Sequence, residues 1–153
     1  MRLIALLLVT LTSCGLLAGC GGGEDDRSAA AARIGALCEK ARLDVEALGL
    51  PSEKGPDLVG DWANRGRRLA AAVEKVRSDD PEERQRIESL HTYLDEYYSG
   101  LRLAYIVYLQ TKSSESYGLA LDRAKEFLGE AEALATQMGA KECAKRPWED
   151  VEA

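Results

Sequence analysis

The 153-residue chain carries 26 acidic against 20 basic residues, a formal charge of −6, and that balance argues against a nucleic-acid partner. Its length suits one domain with a real core, and with a single phenylalanine that core must come from Leu, Ala, Val, Ile and Tyr. The chain has four cysteines, and each needs its own account.

Arg2 followed by the apolar run Leu3 to Leu11 and small residues up to Cys20 has the layout of a secretory leader. The run is shorter than the roughly 20 apolar residues of a membrane-spanning helix. Leu17-Ala18-Gly19-Cys20 resembles the site of lipoprotein signal peptidases, in which the cysteine is diacylated and becomes the new N-terminus. Leu11-Thr12-Ser13-Cys14 also fits, but cleavage there would leave Cys20 as an odd thiol and strand Leu16 and Leu17 in a tether. Cleavage before Cys20 leaves Cys38 and Cys143 to pair, so residues 1–19 are expected to be a signal peptide.

Two acyl chains give a stable membrane attachment where one does not. Residues 20–27 then read as the lipidated cysteine and a flexible acidic tether, spanning about 16 Å as a random coil. Gly21 is not the aspartate that resembles an inner-membrane retention signal. The expected location is therefore outside the cytoplasm, lipid-anchored to the bacterial cell membrane, and to the outer membrane where the cell has two.

From Ser28 onward the apolar spacing is helical throughout. A first helix is predicted over 28–48, with Ile34, Leu37, Cys38, Ala41, Val45 and Leu48 on one face and Gly49 and Pro51 ending it. A second runs from near Pro56 to near Arg77 with Val59, Trp62, Gly66, Leu69, Val73 and Val76 as its stripe. Gly66 costs that helix roughly 1 kcal/mol relative to alanine, which points to a neighbour passing close.

The third helix has the clearest start, with Asp80 as N-cap, Pro81 in the first turn and Glu83 completing a capping-box-like arrangement. Its stripe is Ile87, Leu90, Leu94, Tyr98, Leu101, Tyr105 and Tyr108, continuing to about Thr111. Ser113 or Ser114 caps a fourth, with Tyr117, Leu121, Ala124, Leu128, Ala131, Ala135 and Met138 inward and Gly139 at C′. The expected architecture is all-α: an antiparallel four-helix bundle, up-down-up-down, over 28–146, with an irregular tail over 147–153 in which Trp148 is placed to fold back.

In such a bundle Cys38 and Cys143 lie at the same end, and an exported chain favours their disulfide. Leu37-Cys38-Glu39 on an early helix and Met138-Gly139-Ala140-Lys141-Glu142-Cys143-Ala144 at the end resemble a group of small uncharacterised bacterial lipoproteins. These share a lipobox, a Gly- or acid-rich tether, a helical domain and two distant cysteines. Met138 stands where that group more often has leucine. The resemblance implies a helical fold closed by a disulfide and carries no activity.

Glu88-Ser89-Leu90-His91 matches the Glu-x-x-His of di-iron bundles, but His91 is the sole histidine and a second copy of the motif is missing, so no metal site is expected. No nucleophile elbow, phosphate loop or haem-attachment motif is present, and neither a catalytic residue nor a cofactor is expected. Arg65, Arg67 and Arg68 form a short basic patch that reads as a solvated face. Tyr93 and Tyr97 lie one turn apart with Gly100 and Ala104 beyond, large rings beside small residues that could frame a shallow binding face; ordinary packing is the simpler account. The expectation is a membrane-anchored lipoprotein whose non-enzymatic domain contacts a protein or the envelope. The alternative is a small-ligand-binding or sensing lipoprotein that uses the tyrosine face.

Overall fold

The computed structural model describes residues 28–49 and 57–145. The leader, Cys20, the tether, Pro51, Pro56 and the tail with Trp148 lie outside these. Four helices and one short 3₁₀ turn make up the described chain, with no strand: α1 Ala29–Glu46, α2 Asp57–Val73, α3 Pro81–Thr111, α4 Ser114–Gln137 and the turn Lys141–Ala144. No helix among the described residues is long and apolar enough to cross a membrane.

α1, α3 and α4 each begin where the sequence supplies an oxygen for the orphaned amides. Ser28 Oγ accepts from Ala31 N at 3.0 Å, Asp80 Oδ1 from Glu82 N at 3.0 Å and Ser113 Oγ from Ser116 N at 3.2 Å. α4 ends in a Schellman motif: Ala140 N donates to Ala135 O, Gly139 N donates to Thr136 O, and Gly139 takes φ 84°, which a glycine adopts without a Cβ penalty.

α1 stops at Glu46, with Leu48 in the following turn and Gly49 at φ 92°. α2 stops at Val73, short of the Arg77 expected. Beyond Val73 the bonds tighten to i−3, Lys75 N to Ala72 O and Val76 N to Val73 O, and the Arg77 guanidinium donates to the Glu74 carbonyl at 2.8 Å. This turn keeps Val76 buried after the helix has ended, so the apolar stripe outlasts the helix that it was taken to define.

Glu83 does not close a capping box. Ser78 Oγ takes the Asp80 amide at 3.1 Å instead, and the Glu83 carboxylate accepts from the hydroxyls of both Ser78 and Ser28. One carboxylate thereby ties the start of α1, the α2–α3 turn and the first turn of α3 together.

α3 is the central element and packs chiefly on α2 and α4, while α1 packs on α2 and on the 3₁₀ turn. Along α2 and α3, Gly60 meets Tyr105, Gly66 meets Tyr98 and Ala70 meets His91. Along α3 and α4, Gly100 meets Ala124 and Tyr108 meets Tyr117. One core runs through all four helices, with Ile34, Val73 and Leu90 its largest fully buried side chains, and a satellite of Val45, Leu58 and Trp62 lies under the end of α1. Cys38 and Cys143 are disulfide-bonded, with Cα atoms 5.0 Å apart across 105 positions of sequence.

Candidate functional site

The tyrosines of α3 divide between its two neighbours. A helix that packs on both sides buries two stripes, and here they are offset by one residue. Tyr98 and Tyr105 face α2, and the ring of Tyr98 lies on Gly66 so closely that an added Cβ would sit 1.9 Å from its Cε1. At Gly60 an added Cβ would come within 2.9 Å of the Tyr105 ring. Two glycines on α2 therefore act as seats for two rings on α3. The Tyr105 hydroxyl donates to Asp57 Oδ1 at 2.9 Å, and that bond, with some burial, holds its ionisation above the usual tyrosine range. Burial, then the charge of Glu132, pushes Tyr98 well above that range.

The proposed binding face resolves differently at each of its residues. Tyr97 is 3% exposed, with its ring 4.8 Å from that of Tyr98, so it belongs to the core. An added Cβ at Gly100 would stand 2.7 Å from Ala124 Cβ, so the space beside this glycine is taken by α4. These two residues line no open groove. Tyr93 is half-buried and borders a shallow, open hollow between α3 and α4 with Arg86, Ser89, Glu130, Leu134 and Gln137. Of the three residues, only Tyr93 is placed where a ligand could touch it.

A second hollow, about 20 Å³, lies beneath the disulfide among Val45, Leu69, Leu94, Tyr98, Leu128 and Glu132. Ligand sites run to about 300–1,000 Å³, so it is a packing gap at the meeting of four elements.

His91 is half-buried against α2, where its Nδ1 donates to the Ala70 carbonyl at 3.1 Å. Among the described residues no three potential metal ligands converge. Of the basic patch on α2, Arg67 pairs with Asp95 at 3.7 Å, and Arg65 and Arg68 add to the field that, after the hydrogen bond from Lys40, holds Asp44 below the usual carboxylate range. The patch is thus a set of local partners for α1 and α3.

Sequence reasoning missed the second buried stripe of α3 and the seat at Gly60. The seat at Gly60 had a signal: Tyr98 and Tyr105 are seven residues apart, Gly60 and Gly66 six, a near match across two packed helices. Comparison with protein-family models, with curated proteins and with solved structures finds no match for the chain.

Proposed function

We propose that the chain is an exported lipoprotein, held by acyl groups on Cys20 at the bacterial cell membrane, whose helical domain is a non-enzymatic module for contact with a protein or the envelope. The observation that carries this reading is the junction Leu17-Ala18-Gly19-Cys20, where an apolar leader gives way to a short acidic tether and then to Ser28, the cap of α1. The Cys38–Cys143 bond supports it, because such bonds persist in oxidising compartments. The fold in this reading is an antiparallel up-down-up-down bundle. It is supported by the reversed order of the contacts Gly60–Tyr105, Gly66–Tyr98 and Ala70–His91, and of Gly100–Ala124 and Tyr108–Tyr117.

Cys20→Ala tests the anchor. The expected outcome is loss of the acylated mass and transfer of the protein from the membrane to the soluble fraction of the exported material. Continued membrane retention of the variant overturns the reading. A small-ligand or sensing lipoprotein is the second reading. It is favoured only by Tyr93 and the open hollow beside it.

A further inference from the structure

The segment Leu101-Arg102-Leu103-Ala104-Tyr105-Ile106-Val107-Tyr108-Leu109 is apolar around its whole circumference apart from Arg102. A helix of this kind asks for cover on every side. α2 covers one side, at Tyr105, and α4 another, at Tyr108 against Tyr117. The outward side is bare: Leu103 is 57%, Ile106 37% and Leu109 42% exposed. Among the described residues the other exposed large apolar side chains are Leu43 on α1 and Leu119 on α4. Leu119 is two residues from both Tyr117 and Leu121, so it lies on the far side of α4 from the face that those residues pack.

We propose that this outward face of α3 pairs with the same face of a second copy of the chain. Leu103 and Ile106 share one side of the helix and are flanked at steps of four by the uncharged Ser99 and Gln110, so a neighbouring helix running alongside would meet an uncharged strip with two apolar residues at its middle. Charge favours the same occupant. The chain is acidic, yet between Glu96 and Glu115 it has no acidic residue and only Arg102 and Lys112 as charges. Two copies repel least where their excess negative charge is absent. Glu96, the next residue down the stripe, ends the seam, since two copies would bring like charges together there.

The proposal rests on the anchored reading for the direction of the pair. Ser28, where the tether joins, is bonded to Glu83 at the start of α3, about 35 Å along the helix from Ile106. A two-fold axis parallel to α3 brings both tethers to one bilayer; an antiparallel pair would send them to opposite sides. A few leucine-sized side chains fall well short of the roughly 800 Å² per partner of a standard interface. The pair is therefore weak in free solution and forms where anchors confine both copies to one membrane, which raises their effective concentration.

The test is photo-crosslinking of the full chain in its host membrane, with a photoreactive amino acid in place of Leu103 and, for comparison, of Leu43. The expected result is an adduct of twice the 16.6 kDa chain mass from position 103, adjusted for leader removal and acylation, and none from position 43. Ile106→Glu should cut the adduct at least tenfold with unchanged melting. If that variant misfolds, Leu103→Glu with the photoreactive group at 106 replaces it. No adduct, an adduct only with a different protein, equal adducts from 43 and 103, or one that survives the glutamate overturns the seam. Fractionating the same cells separates the two ideas. Protein found in the membrane without a homodimeric adduct overturns the seam alone, whereas protein found only in the soluble fraction overturns the anchored reading and the seam with it.

Discussion

Gly66→Ala should destabilise the domain even though alanine is the better helix former. At an exposed mid-helix position the exchange is favourable by about 1 kcal/mol. At Gly66 the new Cβ would stand 1.9 Å from Cε1, 2.0 Å from Cδ1 and 2.3 Å from Cζ of Tyr98, far inside contact distance. The obstacle is the side of a ring that is itself buried against α2, so it has little room to turn aside. Overpacking of a core costs about 1–3 kcal/mol. Full loss of a buried aromatic seat would approach the roughly 3–5 kcal/mol of a large-to-small exchange. Setting the helix gain against these leaves a net loss of about 0–2 kcal/mol if the ring yields and about 2–4 kcal/mol if it is driven from its seat; at a Cβ this close the second applies, a fall in Tm of roughly 10 °C for a domain near this size. Thermal unfolding followed by far-UV circular dichroism under oxidising conditions reads it directly. Gly129→Ala is the control, because a Cβ there meets nothing within 4 Å, and it should be neutral or stabilising. In a Tyr98→Ala background the penalty of Gly66→Ala should disappear, a coupling that a double-mutant cycle isolates. If Gly66→Ala raises Tm as Gly129→Ala does, Tyr98 does not sit on Gly66 and the packing argument fails.

Reduction, or Cys38→Ser with Cys143→Ser, should lower the chemical-denaturation midpoint. For a loop of 105 residues the chain-entropy account sets an upper value of about 4–5 kcal/mol; an unchanged midpoint would mean that the bond constrains nothing. Tyr97→Ala should cost about 3–5 kcal/mol as a core truncation, while Tyr93→Ala costs far less and loses affinity only if the hollow beside it binds something; equal costs would show that the two residues are not divided between core and surface. Stability should also fall at alkaline pH. Tyr98 is held high first by burial, Tyr105 first by its bond to Asp57 and Tyr117 by burial. Their raised folded-state values mean that the unfolded chain loses these protons first, so the stabilisation is complete below the ordinary tyrosine value near 10 and drains away above it. Melting curves from pH 8 to 11 should show that decline, and a flat profile would contradict the shifts.

The parts of this fold that were legible in the sequence are those written in local chemistry. Ser28, Asp80, Ser113 and Gly139 mark helix ends through their own hydrogen bonds or backbone freedom, so the limits of α3 and α4 follow from short stretches. The cysteine pairing followed from counting and from which ends of the helices meet. What stayed hidden depended on more than one element. The end of α2 has no glycine or proline, and Val76 continues the apolar spacing because a turn, not a helix, buries it. Glu83 sits three residues after Asp80, as a capping box requires, but its carboxylate is claimed by hydroxyls 5 and 55 positions away. Tyr97 and Gly100 left two accounts open, packing as the simpler and a binding face as the alternative, because one apolar stripe was evident for α3; a central helix has two, and small residues beside large rings fit close packing as readily as they fit a groove.

The bond between Cys38 and Cys143 turns almost the whole domain into a covalent ring. A protease that cuts once anywhere from residue 39 to residue 142 leaves two pieces that still travel as one molecule, joined to whatever holds the chain ahead of Cys38. If acyl groups on Cys20 hold the chain, as proposed above, release of the intact domain takes a cut between that residue and Cys38. Damage within the ring is invisible to any process that senses release, until a reductant opens it. Under that proposal the domain's residence at a membrane is governed by the few residues ahead of Cys38, and its internal wear is uncoupled from its loss.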